Sequence, residues 1–496
     1  MVRLPGPGPL SLAALGAAAA YYGKYRPLIP GGILVILGLA CFFRAAASLP
    51  GRFRRESRAA VLCLLSLGLG CTLGLSARAA VRDRPLVGLR DREIRGIRGV
   101  LREDPRTVRG GRGMGLLDLE ETAGGDGLRV SARGRMSVFF PEGTVPRLRT
   151  FGRGSRVFVE GALIRRDGGE PFFRAESVHI ITPPPTQDQL RTGIRLFLLD
   201  RFSPERTGTY GGGGGSWGGL ALALLVGIRD NLEDELAAAY RQAGCSHVLA
   251  LSGMHLGIVS AVIAFLLRKP LGLRAAAVTG VLFVLLYVYL AGVQPSLERS
   301  AIMYLLGTLA LTGALPRKPF ALLGLTFLIQ IILRPESGDS LSFILSYLAL
   351  AGILTLGEGL QRVFRGRLPE LLSQPLSASI GAFIATAAVS AAFFGVLRPV
   401  GILAGILIVP LTTVFMITSM IWLALNCLFP LVSLPAGFVL SVVYDILSRL
   451  VQAAGRAPGI AVSDPGLVFG LSAAAGALLI LWTGRIKMRS YLAPFG

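Results

Sequence analysis

"GCSHVLALSGMHLGIV", residues 244–259, holds two of the chain's three histidines, a cysteine, two serines and three glycines. The sequence on both sides is apolar enough to lie in a bilayer. Polar and ionisable side chains inside a membrane usually face a bundle interior or a cavity. His247 and His255 are eight residues apart, so on a continuous helix they would lie roughly 80° apart, on neighbouring faces. Gly253 and Gly257 give such a helix places to break.

Composition agrees with a membrane setting. The chain has 496 residues, of which 52% are hydrophobic and only 16% charged, and its mean hydropathy is +0.61. Soluble domains carry about 25% charged residues. Several runs approach the ~18 apolar residues of a spanning helix. The expected fold is therefore mostly α: a polytopic membrane helix bundle. The formal net charge is +22, nearly all of it arginine, since lysine occurs only at positions 24, 269, 318 and 487. Basic residues gather in cytoplasmic loops of membrane proteins, and guanidinium groups also pair bidentately with phosphate. Five scattered cysteines match no metal-site spacing and read as small hydrophobes. No cofactor is expected.

Working outward from the histidine stretch, residues 1–80 hold three apolar segments, near 9–22, 31–48 and 59–78. Arg52, Arg54, Arg55 and Arg58 place the second link in the cytoplasm, so the chain beyond the third segment lies outside the cytoplasmic membrane. Residues 81–183 are soluble in character. Five β-like stretches alternate apolar and polar residues: 93–101, 115–121, 127–140, 155–166 and 171–181. They suit an inserted small β-barrel, the OB-fold being the five-stranded option. Residues 82–182 carry twenty arginines against fourteen acids. Arg153, Arg156, Arg165, Arg166 and Arg174, with Phe151, Phe172 and Phe173, would make a basic groove for single strands. Equally, the phenylalanines would be core and the arginines solvated. Within 184–215, "TQDQLRTGIRLFLLDRFSP" reads as an amphipathic helix along a membrane surface, and Gly211–Gly215 as a joint. Residues 216–485 form the polytopic domain, with apolar segments near 216–228, 246–268, 274–293, 299–314, 319–334, 340–357, 376–396, 399–425, 430–452 and 466–483. Residues 486–496 form a basic, cytoplasmic tail. Parity closes only if the short segment 216–228 is re-entrant. Backbone of that kind survives at membrane depth only when buried in protein or lining a watery cavity.

The histidine stretch admits several chemistries. A metal site starts thinly with Cys245 and His247. "ALSG" is similar to the Gly-x-Ser-Gly of rhomboid intramembrane proteases, but their base lies on a later helix and no histidine follows His255. A polar lining for a translocation path and interhelical glue remain equally open. Ser296 and Arg299 sit at a helix start, Ser342 and Ser346 share one helix face, and Pro410 interrupts a uniform run, as in the broken helices of transport sites.

These motifs together resemble the ComEC competence family. The signature His-(Leu/Val)-Leu-Ala-x-Ser-Gly-(Leu/Met)-His-x-Gly matches at His247, Leu249, Ala250, Ser252, Gly253, His255 and Gly257, with Ser246 just ahead of it. Ser296, Arg299 and Met303 match a second block, and Phe343, Leu345, Ser346 and Ala349 a third. "LIVPL" around Pro410 matches a further one. The resemblance implies a cytoplasmic-membrane channel for single-stranded DNA in natural transformation, not an enzyme. It implies as partners the strand itself, the lipid bilayer, and a separate cytoplasmic ATPase with DNA-receiving proteins. A homodimer stays open. The family's acid after position 227 is here Ile228, with Asp230 displaced, and its Arg-Ala pair is Arg299-Ser300. The metal motif of the family's C-terminal metallo-β-lactamase-like domain is absent from the sequence, so strand degradation would be either absent or supplied by another protein; a separate nuclease stays open. No phosphate-cradling Gly-x-x-x-x-Gly-Lys-Ser/Thr loop occurs. A membrane hydrolase built on Ser252 and His255, or a carrier of another anion, is the rival reading.

Overall fold

A computed structural model describes residues 9–22 and 68–76, the isolated residues 66 and 207, most of 94–203 (not 108–111, 126 or 165–170) and most of 216–476 (not 230, 293, 312–317, 430–432, 465 or 473). The second N-terminal segment, the Arg52–Arg58 loop, Arg165, Arg166, Gly211–Gly215, Asp230 and the tail lie outside the described residues.

After α1 (Pro9–Tyr22) come the strands β1 (Ile94–Leu101), β2 (Arg106–Thr107), β3 (Gly113–Gly124), β4 (Arg129–Ser131), β5 (Arg135–Phe140), β6 (Arg156–Ile164) and β7 (Phe172–Thr182). Alternation drives Ile97, Leu117, Val138, Val157 and Phe173 to one side, where they form a buried core. β1 pairs with both β3 and β6, β6 with β7, and β7 with β5 in parallel; β5 then pairs with β3. Five strands thus close into a barrel, with β2 and β4 as short additions on β3. Two details differ from the sequence expectation. The stretch 127–140 is two strands, because Gly134 takes a positive φ of 132° and turns the chain. A helix, α2 (Thr144–Phe151), links β5 to β6 and packs Leu148 into the barrel core. It is short and flanked by glycines, so its pattern reads as a turn.

The bundle comprises α3 (Thr186–Arg201), α4 (Trp217–Val226), α5 (Asp234–Gln242), α6 (Ser246–Leu249), α7 (Gly253–Ala291, kinked at Gly272), α8 (Pro295–Leu311), α9 (Pro319–Leu333), α10 (Leu341–Gly352), which continues through a π turn (Ile353–Gly357) into α11 (Glu358–Phe364), then α12 (Glu370–Phe394), α13 (Val400–Leu428) and α14 (Ser433–Gly455). Strands β8 (Val396–Leu397) and β9 (Ile460–Ala461) pair across the α12–α13 and post-α14 loops. Among the described residues, five helices are long and apolar enough to cross a membrane: Gly253–Gly272, Leu341–Phe364, Glu370–Phe394, Val400–Leu428 and Pro435–Gly455.

α4 is not among them. Its ten residues are all buried and reach only about 15 Å at 1.5 Å per residue, half a hydrocarbon core. Trp217 at its start stacks edge-on against Trp422 of α13, centroids 4.9 Å apart, and both meet Phe202. α3 does not lie flat across the end of the bundle. Arg191 bonds the Tyr289 carbonyl at the C-terminal end of α7, while Arg201 bonds Asn426 near the far end of α13. Its guanidinium groups turn inward and Leu190 and Phe197 face outward. α3 and α4 therefore go in and come back as one hairpin. Trp422→Ala should cost about 3–5 kcal/mol, read as a lowered thermal midpoint of the detergent-solubilised chain. An unchanged midpoint would mean that the hairpin is not anchored there.

Ion pairs fix the barrel to one end of the bundle. Asp104 meets Arg191 at 2.7 Å and Arg195 at 3.2 Å. Glu336, in the 3-10 turn between α9 and α10, meets Arg102 at 3.2 Å and Arg135 at 2.9 Å. Tyr21 and Tyr22 of α1 donate to carbonyls of the same turn. Burial pushes the Asp104 carboxyl up from 3.8, but the Arg191 and Arg195 guanidiniums outweigh it and the net shift is downward. Glu336 is likewise opposed by burial and lowered overall, by a backbone amide and the two barrel arginines. Groups depressed in the folded state stabilise it above their unfolded pKa and stop doing so as pH falls through the folded value. Docking should thus hold at neutral pH and loosen below about pH 4. Asp104→Asn leaves a buried Arg191 unpaired, a loss of about 3–5 kcal/mol. Limited proteolysis should release the barrel faster from this variant at pH 7; equal rates would show that the latch bears no load.

Candidate functional site

The signature stretch is not one helix. α6 ends at Leu249, residues 250–252 are extended, and α7 begins at Gly253. Ser252 is the N-cap and His255 the third helical residue, and the two bond reciprocally, as a Ser–Glu capping box does. The Ser252 amide donates to His255 Nδ1 at 3.1 Å. An amide only donates, so Nδ1 is the acceptor and the neutral ring carries its proton on Nε2. Ser252 Oγ also lies 3.1 Å from Nδ1. His255 is wholly buried, and its Nε2 has no hydrogen-bond partner among the described residues. No carboxylate among the described residues hydrogen-bonds it. Ser246 and His247, one turn earlier, are exposed. Arg229, after α4, donates to the Leu249 carbonyl at 2.9 Å and so pins the extended turn.

Gly227 ends α4 in a left-handed conformation with φ 75°, and a Cβ there would meet Leu251 Cδ1 at 2.6 Å. The α3–α4 hairpin and the signature turn thus touch through a glycine. Gly253 does the same on the other side: a Cβ would lie 2.5 Å from Ser300 Oγ and 3.3 Å from Arg299 Nη2. Ser296 Oγ donates to the Leu251 carbonyl at 2.8 Å. Arg299 Nε donates to Ser346 Oγ at 2.8 Å, and its guanidinium stands over the Tyr347 ring, 5.8 Å from the centroid. The Tyr347 hydroxyl donates to Gln330 Oε1 at 2.9 Å, and Gln330 Nε2 donates to Glu298 at 3.1 Å and to the Pro295 carbonyl. Glu298 pairs with Arg334 at 3.3 Å. Three blocks far apart in sequence, at 252–255, 296–300 and 346–347, therefore form one polar cluster inside the bundle. α7, α8 and α10 all begin here, at the end carrying the barrel.

A family model described as "Competence protein" matches residues 224–487, more than half of the chain. The chain belongs to the competence protein family. With five helices of spanning length, it is a multi-pass membrane protein. ComE operon protein 3 of Bacillus subtilis (strain 168) is 32% identical over 166 residues, 32% of this chain and 20% of that protein. An uncharacterized protein of Aquifex aeolicus (strain VF5) is 28% identical over 205 residues, 41% of this chain and 46% of that one. The chain covers less than half the length of either relative. No solved structure matches it.

In this competence protein the remaining expected residues are spread more widely. Phe343 is core, stacked with Phe327 and Tyr347. Gly257 lies on the exposed side of α7, with open space where a Cβ would go. Pro410 is exposed on α13, which runs past it unbroken from Val400 to Leu428. The expected break is absent: the helix passes Pro410 without interruption, and Thr412 and Thr413 back-bond to the Ile408 and Val409 carbonyls just beyond it. On the barrel, Arg153 pairs with Asp188 at 3.4 Å and Arg156 holds Glu120 at 2.8 Å. Phe172 packs edge-on against Phe139, Phe173 is core, and Arg174 is exposed. Among the described residues no three His, Cys, Asp or Glu side chains gather as metal ligands. The sequence reading missed Arg229, Ser300, Gln330 and Tyr347. Gln330, a lone amide in the apolar run "FLIQIIL", carried a signal in its cost at membrane depth.

Proposed function

We propose that this chain forms a route by which a single strand of DNA crosses the cytoplasmic membrane in natural transformation. The observation that carries this reading is Arg299. It is 8% exposed, inside a bundle of apolar helices, with no carboxylate partner among the described residues. An ionisable group in that position marks a pathway by default. The family supports the choice of cargo.

The barrel's circuit, with β5 parallel to β7 and a helix between β5 and β6, supports an OB-like reading and a receiving role on the outer face. Charge supports the same orientation. The turns near 268–274, 318–319 and 364–367 hold most of the described loop lysines and arginines of the bundle, and helix alternation puts them at the end away from the barrel. That end would be cytoplasmic, with the C-terminus. Direction would come from a separate ATPase and DNA-receiving proteins.

The test is deletion of the gene in its host, with transformation by linear DNA measured after complementation. Wild type should restore it and Arg299→Ala should not. Transformation unchanged by the deletion would overturn the reading. The hydrolase alternative draws on the 3.1 Å Ser252–His255 contact. A nucleophile would lose all turnover in Ser252→Ala, whereas a cap loses about 0.5–2 kcal/mol and keeps measurable transformation.

A further inference from the structure

We infer that Arg299 and the first turn of α7 form a seat for a phosphodiester or phosphate oxygen. Its use by DNA rests on the proposed uptake route; the seat itself does not. A guanidinium has five N–H donors, and buried donors are nearly always matched. Arg299 has one oxygen acceptor among the described residues, Ser346 Oγ. Its Nη1 reaches only the Met303 sulfur at 3.8 Å, a weak acceptor, and the ring of Tyr347 covers one face. The nearest acid on its own helix, Glu298, is engaged by Arg334 and Gln330.

Nη2 points at the start of α7, 3.3 Å from where a Cβ on Gly253 would stand. The first helical turn from Gly253 leaves amides without intrahelical acceptors and carries the positive end of the helix dipole. Ser252 satisfies the His255 amide, which leaves those of Gly253 and Met254. Two positive groups facing each other in a low-dielectric interior repel. An oxyanion between them would accept from both, in the forked geometry that guanidinium offers phosphate. Glycine at 253 lets α8 and its guanidinium come this close, since a Cβ there would meet Ser300 Oγ at 2.5 Å.

Hydrogen exchange of residues 250–258 in the purified full chain tests this. The probes are inorganic phosphate, a 20-nucleotide single strand, and the same strand with an uncharged methylphosphonate backbone, all in a phosphate-free maltoside detergent. A further arm uses phospholipid nanodiscs without nucleic acid. Phosphate and the phosphodiester strand should slow exchange about tenfold at saturation, and the methylphosphonate strand should not. Arg299→Gln should lose the effect, Arg299→Lys keep part of it, and Ser346→Ala, which frees the guanidinium, weaken it. Thermal midpoints check that each variant folds. Protection in nanodiscs alone supports the seat and makes a lipid headgroup its source. Protection by phosphate with no effect of the DNA strand supports the seat and counts against the DNA route. Exchange unchanged by every anion in wild type, or slowed equally in Arg299→Gln, overturns the seat.

Discussion

Gly253→Val should abolish transformation and lower the thermal midpoint of the solubilised chain. The glycine allows α7 and α8 to meet where Ser300 Oγ would lie 2.5 Å from a Cβ. Valine adds two further carbons at that contact. Overpacking of this kind costs about 1–3 kcal/mol, within reach of a marginally stable fold. The larger effect is local: prising α8 from α7 moves Arg299 off Ser346 and Ser296 off the Leu251 carbonyl. Gly253→Ala should retain partial function, because Ser300 can rotate away from one methyl group but not from an isopropyl. A wild-type transformation frequency in Gly253→Val would show that this helix contact is irrelevant to uptake.

His255 supplies the second large effect, and its replacements separate two roles. His255→Ala removes the acceptor of the Ser252 amide in a site closed to water. Losing a cap costs about 0.5–2 kcal/mol, and an unsatisfied buried donor about 1–3 kcal/mol more. Transformation should fall with the folded population. Gln at the same position can reach back as the third residue of a capping box. His255→Gln should therefore recover both midpoint and transformation. Recovery of the midpoint alone would mean that the ring itself acts on the cargo, and the capping role would be insufficient.

Much of this arrangement was legible in the sequence, for identifiable reasons. Strand alternation is local, so four of the five main strands of the barrel were readable within a few residues of their ends, and β5 as the second half of a stretch that Gly134 divides. The shortness of 216–228 was readable, and the helix there has ten residues; that it pairs with the preceding helix was not, because the pairing rests on Phe202, Trp217 and Trp422 meeting across distant segments. The glycines near His255 allowed a helix break, and one occurs, though just ahead of Gly253. What was hidden depends on contacts between distant segments. Nothing in "TQDQLRTGIRLF" says that Arg191 finds Asp104 and turns its face inward. The same limit applied to Arg153 and Arg156, which look free in sequence and pair with Asp188 and Glu120 in the fold. Pro410 misled because a proline inside an apolar run reads as a break, whereas the helix continues through it from Val400 to Leu428. Spacing alone also did not give the capping role of His255, which depends on the chain leaving the helix at residues 250–252.

The most direct measurement places a photo-reactive amino acid at Met254, half-buried beside Gly253, and for comparison at Phe438, which faces outward from α14. Cells taking up radiolabelled DNA are then illuminated. The strand should attach to the chain at position 254 and not at 438. Transformation that proceeds with no attachment at 254, or with equal attachment at both positions, would contradict a route past Arg299.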